Sequence, residues 1–269
     1  MNTPQLVGIV NLTVDSFSDG GRYAKPADAI QHARQLALDG ADLLEFGPAS
    51  SNPDAHPVPS AEQIKRLTQV LQDVQSIGLP ISIDATDTAV LEFALDSGVA
   101  IAMLNDIRGF PDPALHPRLA DSNASLVVVH SILERERAER SQVSTDEVLA
   151  SIDRFFEQRL TKLMDAGVSE DRLIVDPGMG FFLGGNPEAS IAVLQRIPEL
   201  KARFGRPIFI SVSRKSFLRA ITGRDVDRVG AATLAAELRA AAQGAEYLRT
   251  HDVAALSDAL KIVSALDSK

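Results

Sequence analysis

A single-domain (β/α)8 barrel over residues 1–269 is the fold this sequence predicts, on three observations. Eight short apolar runs alternate with amphipathic stretches from end to end. Each run gives way to polar, chemically useful residues at its C-terminal end. The length of 269 residues suits one barrel, which needs about 250, and no linker or composition break divides the chain.

The first run, Leu6 to Val10, turns polar at Asn11. The second, Leu43 to Phe46, stops at Gly47, and the third, Ile81 to Ile83, at Asp84. Ile101 to Leu104 leads to Asn105, and Leu126 to Val129 leads to His130. Leu173 to Val175 leads to Asp176, and Ile208 to Ile210 leads to Ser211 and Ser213. The last run, Tyr247 and Leu248, leads to Arg249 and His251. Between the runs lie helical periods. Ile64, Leu67, Leu71 and Val74 share one face, as do Val253, Leu256, Leu260 and Val263. Ser60 with Gln63, and Ser144 with Glu147, have the spacing of a capping box. The main alternative, a doubly wound open sheet, usually needs fewer strands. It would also carry a Gly-rich phosphate fingerprint after the first strand, which is not found.

Composition narrows the function. Hydrophobic residues make up 45% and aromatics 5%, which suits a core of parallel strands wrapped by helices. The formal charge of -9 argues against a nucleic-acid partner. An anionic substrate would have to be held by a few local cations against the overall field. With no cysteine there is no disulfide, thiol nucleophile or thiolate metal site. No leader is visible at the start, and no apolar run approaches the roughly 20 residues that cross a bilayer. The expectation is a cytoplasmic protein with no membrane partner.

In a barrel the chemistry collects at the C-terminal ends of the strands. Asn11, Asp84, Asn105, His130, Asp176, Ser213, Arg249 and His251 would share one rim. Any one of them is as ordinary as a helix cap or turn residue. Agreement across so many strands favours a common site. Two carboxylates, Asp84 and Asp176, can accept paired N–H donors from a flat heterocycle, with Asn105 able to donate and accept beside them. Lys215, Arg249 and His251 suit a phosphate or a carbonyl oxygen. No HExxH sequence and no nucleophile elbow is present, which disfavours hydrolysis through a covalent serine. His130 is expected either to pack at its strand end or to touch the site. His32, His56 and His116 are expected on the surface. The charged run 134–140 is expected as a solvated loop or helix start.

Six segments together resemble the dihydropteroate synthases. They are Asn11-Leu-Thr-Val-Asp-Ser-Phe-Ser-Asp-Gly-Gly21, Ser82-Ile-Asp84, Asn105-Asp-Ile107, Asp176-Pro-Gly-Met-Gly180, Ser213-Arg-Lys-Ser216 and Arg249-Thr-His251. They occur in the family's order along nearly the whole chain. The resemblance implies a homodimeric barrel enzyme that joins a dihydropterin diphosphate to 4-aminobenzoate on the route to folate. It implies that Asn11 binds Mg2+, the expected cofactor, carried by the substrate diphosphate. Asp84, Asn105, Asp176 and Lys215 would surround the pterin. Arg249 and His251 would hold the diphosphate, and Ser216 would face the aminobenzoate carboxylate. Lys215, Arg249 and His251 would be the catalytic side chains, and Asp15 and Asp19 would order the first loop.

Two segments depart from the usual family pattern. After the second strand the family has Gly-Glu-Ser-Thr-Arg-Pro-Gly, where this chain has Gly47-Pro-Ala-Ser-Ser-Asn-Pro-Asp54. The family's Arg becomes Asn52 and its Thr becomes Ser51. After the sixth strand the family has Gly-Phe-Gly-Lys, where this chain has Gly180-Phe-Phe-Leu-Gly184. Both segments resemble those of the acquired sulfonamide-resistant synthases. Ser51, Pro53, Phe181, Phe182 and Ser216 would then line the aminobenzoate pocket. The Phe182 ring would lie just past the planar carboxylate and clash with the bulkier sulfonamide. Two rivals share parts of this pattern. A methyltetrahydrofolate-dependent corrinoid methyltransferase has the barrel and the pterin carboxylates but no use for a diphosphate clamp. A pterin-binding protein without turnover would explain the missing loop arginine.

Overall fold

The computed structural model describes residues 3–13, 25–50, 56–132 and 143–267. Eight parallel strands run in chain order around a barrel: β1 (Gln5–Asn11), β2 (Leu43–Gly47), β3 (Ile81–Asp84), β4 (Ile101–Asp106), β5 (Ser125–Val129), β6 (Leu173–Asp176), β7 (Phe209–Ile210) and β8 (Tyr247–Thr250). Strands β1 to β6 each pair with the next in sequence, β7 pairs with β8, and β8 returns to pair with β1. The barrel closes between β6 and β7 through a single bridge, Val175 to Ile208, which is why β7 is shorter than the predicted Ile208 to Ile210.

Helices wrap the strands. Among the described residues they are α1 (Pro26–Leu38), α2 (Ser60–Gln75), α3 (Thr88–Asp96), α4 (His116–Asp121), α5 (Thr145–Asp165), α6 (Pro187–Phe204), α7 (Ser216–Thr222), α8 (Gly230–Ala242) and α9 (Val253–Asp267). The predicted capping box at Ser144 forms, its hydroxyl accepting from the Glu147 N–H while Glu147 reaches back. The one predicted at Ser60 does not. Ser60 lies inside the first turn of α2, after Pro59, and its hydroxyl donates to Asp87 instead. Two histidines expected on the surface are also drawn inward. His116 is buried on the Phe110 carbonyl at 2.9 Å, and His32 is half-buried on the Ile9 carbonyl at 3.2 Å. His56 is exposed, as expected.

Strand side chains alternate between two cores. Those facing outward join the large cluster shared with the helices. Those facing inward form a smaller cluster that includes Val7, Leu43, Met103, Val127, Ile174 and Phe209. One or two strand positions further on, towards the C-terminal rim, the inward positions turn polar. Glu45, Asp84, Asn105, Asp176 and Arg249 all have this inward parity. The barrel is therefore plugged with hydrocarbon at the bottom and lined with ionisable groups at the top.

Candidate active site

The rim is organised around a residue that the sequence reading passed over. Glu45 is fully buried inside β2. It accepts from the Ser82 hydroxyl at 3.1 Å, from Asn105 Nδ2 at 3.0 Å, and from Arg249 Nε. Arg249 Nη2 also donates to Asp84 Oδ2 at 2.9 Å. One guanidinium thus ties β8 to β2 and β3. Because Nδ2 of Asn105 is committed to Glu45, its Oδ1 is left buried with no partner among the described residues. That oxygen is an acceptor held ready for an incoming N–H. A charged residue inside an apolar run was the signal the sequence held for Glu45.

Asp176 ends β6, and its Oδ1 accepts the Gly178 N–H at 2.8 Å. Two glycines bring this loop close. Gly178 has φ 78°, and a Cβ there would stand 2.4 Å from the His130 carbonyl oxygen. At Gly180, φ 64°, a Cβ would meet Ser216 Oγ at 3.0 Å and Lys215 Cβ at 3.2 Å. The loop after β7 is pinned from behind. Arg214 takes a left-handed φ of 58°, rare for a residue with a side chain, and its N–H donates to Thr233 Oγ1 on α8 at 3.2 Å. Lys215 follows, with Nζ over the Phe182 ring at 4.5 Å. Among the described residues Lys215 is in no direct ion pair, yet Asp176, Asp84 and Glu45 all act on its charge.

Burial sets the protonation of this group. It pushes the Asp84 carboxyl up to about 7 against the pull of Arg249, and the Asp176 carboxyl up to about 6 against its Gly178 bond and Lys215. Burial, with Arg249 beside it, brings the Lys215 ammonium down to about 8. For Arg249 burial opposes the charge, but Glu45, Asp84 and Asp176 outweigh it and keep the guanidinium protonated. His251 is held well below the ordinary imidazole range by burial and by Arg214, Arg249 and Lys215. Its Nδ1 contacts Ser213 Oγ at 2.9 Å, and its own N–H donates to the same oxygen. At neutral pH His251 is therefore an uncharged hydrogen-bonding group.

Several other expected residues fall nearby. Asn11 ends β1 beside Gly47 of β2 and is half-buried. Ser216 opens α7 and lines a cleft of about 310 Å³ with Phe181, Asn186 and Arg219. The two phenylalanines part company. Phe181 is 43% exposed on the cleft, whereas Phe182 is 9% exposed, packed in the inner barrel cluster against Lys215. The Phe182 ring thus faces Lys215 and the barrel interior, and Phe181 is the ring on the open cleft. His130 is buried between Pro177, Ser151 and Phe155, a packing role. Asp106 turns away from the barrel and accepts the Arg108 and Phe110 N–H groups, each at 2.8 Å. Ser51, Asn52, Pro53, Asp15, Asp19 and the run 134–140 lie outside the described residues.

An eight-stranded parallel barrel with buried acids, an amide and cations gathered at its C-terminal rim has the architecture of a barrel enzyme with a polar site. Comparison with known proteins makes the class specific. Residues 7–251 match the family described as pterin binding enzyme. The type-2 dihydropteroate synthase of Escherichia coli is 52% identical over 261 residues, covering 97% of this chain and 95% of that protein. The type-3 enzyme of Escherichia coli is 49% identical, covering 97% and 99%. The structure of Xanthomonas albilineans dihydropteroate synthase with 4-aminobenzoic acid superposes with a TM-score of 0.88 at 34% identity, covering 100% of this chain and 94% of that one. The same enzyme in complex with 7,8-dihydropteroate superposes with a TM-score of 0.84 at 32% identity, covering 100% and 95%. The chain belongs to the pterin-binding enzymes, in the dihydropteroate synthase family. It is a transferase.

Proposed function

We propose that this enzyme condenses (7,8-dihydropterin-6-yl)methyl diphosphate with 4-aminobenzoate, giving 7,8-dihydropteroate and diphosphate, and that sulfonamides do not inhibit it. The observation that carries the first part is the buried, unpartnered Asn105 Oδ1 at the same rim as Asp84, Asp176, Lys215 and Arg249. Two carboxylates and an amide oxygen, all acceptors, fit the N–H edge of a pterin. The relatives named for this synthesis, including structures with 4-aminobenzoic acid and with 7,8-dihydropteroate, support the same substrates.

In this reading Asp176 takes the pterin's amino and ring N–H edge, Asp84 and Asn105 take further N–H groups, and Lys215 reaches the carbonyl. Arg249 and a neutral His251 hold the diphosphate. The C–O bond to diphosphate breaks and the ring system bears the positive charge at its methylene carbon. The neutral aniline nitrogen attacks that carbon, and its proton leaves once the C–N bond has formed. No strong base is required before attack. Positioning and charge stabilisation supply the acceleration.

Mg2+ fits as a companion of the substrate rather than as a resident of a protein cage. Among the described residues no three His, Cys, Asp or Glu side chains converge on a metal site. Asn11 at the rim could contribute one oxygen, and Mg2+ usually keeps waters and phosphate oxygens as its other ligands. When bound, it would neutralise charge growing on the leaving diphosphate. The family resemblance favours a homodimer as the working form, and the sequence pattern favours a cytoplasmic setting. No described helix is long and apolar enough to cross a membrane.

Drug insensitivity is supported by the Phe181–Phe182 segment and by the resistant synthases it resembles. The test is product formation from both substrates and Mg2+, with and without a sulfonamide, in the wild type and in Phe181→Gly and Phe182→Gly. Turnover that persists at high drug in the wild type, with inhibition restored in a glycine variant, is expected. Drug-sensitive wild-type turnover would discard the resistance reading alone. A folded protein that binds pterin but makes no product would favour the non-catalytic alternative.

A further inference from the structure

Arg219 lies one helical turn beyond Ser216 on α7, and both side chains line the cleft next to Phe181. Residues three apart share a helix face, so the hydroxyl and the guanidinium serve one space. The Arg219 Nε atom is buried, yet it has no hydrogen-bond partner among the described residues. No described carboxylate is in ion-pair contact with it. Arg206 also leaves its Nε buried without a partner among the described residues, but its guanidinium is paired with Glu170. Arg118, Arg196 and Arg203 are each held by an acid, and Arg172 is spent on backbone carbonyls. A buried donor left unmade is costly unless an acceptor arrives.

The sequence adds a second reason. The loop position where the family carries an arginine is Asn52 here, and the chain carries a net charge of -9. An anionic arylamine must still be drawn to the cleft. We propose that Arg219 reads the carboxylate of 4-aminobenzoate and sets the enzyme's preference for an anionic over a neutral arylamine. This rests on the synthase reading above. Arg219 touches the end of the substrate remote from the reacting nitrogen. Its contribution is therefore to capture and alignment rather than to the C–N bond itself. A guanidinium forks onto a carboxylate with two parallel N–H donors, and lysine cannot reproduce that geometry.

The experiment compares kcat/KM for 4-aminobenzoate with kcat/KM for its neutral analogue, 4-aminobenzamide, in wild type, Arg219→Gln and Arg219→Lys. In Arg219→Gln, KM for 4-aminobenzoate should rise about tenfold to a hundredfold, the scale of one charged hydrogen bond. KM for the pterin diphosphate and kcat/KM for the amide should not move, so the acid-over-amide preference collapses. Arg219→Lys should keep part of that preference. Equal loss for both amines, or an unchanged preference, would overturn the proposal in favour of a packing role. If Arg219→Gln fails to fold, the preference measured in Arg219→Lys decides the matter by the same ratio. A wild type that condenses neither amine would defeat the synthase reading itself, a distinct result.

Discussion

At Glu45 a carboxylate sealed from solvent accepts from Ser82, Asn105 and Arg249, and Arg249 passes its second donor to Asp84. A buried pair of this kind costs much to desolvate, so what it secures is arrangement more than stability. Removing one partner strands the other. Glu45→Leu should therefore cost about 3–5 kcal/mol in urea unfolding, with kcat/KM falling as Arg249 loses its aim. The double variant Glu45→Leu/Arg249→Met should be more stable than Glu45→Leu alone, because no charge is left unpaired. Simple additivity of the two single changes would mean the pair is not coupled. Asp84, Asn105, Asp176 and Arg249 were legible in the sequence because each ends an apolar run. Glu45 was not, because it sits within one. Only the closed barrel reveals that its parity matches theirs.

At the scale of elements, all eight strands were legible to within about two residues, since apolar runs bounded by polar turns leave few alternatives. Helix ends were less so. The Ser144 box has room to form, while Ser60 follows Pro59 and is diverted to Asp87. What the periodicity could not reveal is the polar inner face of α8. Thr233 holds the left-handed Arg214, and one turn on, Glu237 is buried and bonded to Thr250, between Arg249 and His251. One oxygen of Glu237 has no partner among the described residues. Burial first, and then the charge of Asp252, push this carboxyl up to about 8. The unfolded chain ionises Glu237 at the ordinary value of 4.5, while the folded one keeps the proton to about 8. Stability is then lost as pH rises from 4.5 to 8 and stays level above. Glu237→Gln removes the titration with little change of shape. The melting temperature of the variant should rise relative to wild type between pH 5 and pH 9. A constant difference across that range would show that Glu237 is already ionised in the fold.

The molecule as a whole holds acids and cations together in a low-dielectric rim, and pH acts on that rim in two opposite senses. Asp84 and Asp176 bind protons more tightly folded, at about 7 and about 6, than the ordinary 3.8 of an unfolded chain. Folding stability therefore declines as pH rises from about 4 through these values. Activity needs the reverse, because only the ionised carboxylates accept the pterin's N–H groups. Lys215, at about 8, limits the other side, since a neutral amine donates poorly to a carbonyl. A plot of kcat/KM for the pterin diphosphate, at fixed excess Mg2+, should rise between pH 6 and 7 and fall near 8. The acid limb belongs to the two carboxyls jointly, because they share Arg249 and Lys215. Arg does not deprotonate in this range, so Lys215→Arg should lose the alkaline limb even where its rate is lower. Thermal shift should run the other way. The free protein should melt higher at pH 5.5 than at pH 7.5, and added pterin substrate should raise the melting temperature more at pH 7.5. A rate profile flat from pH 5 to 7 would mean that Arg249 and Lys215 overcome burial and keep both acids ionised, and the predicted opposition between stability and activity would disappear with it.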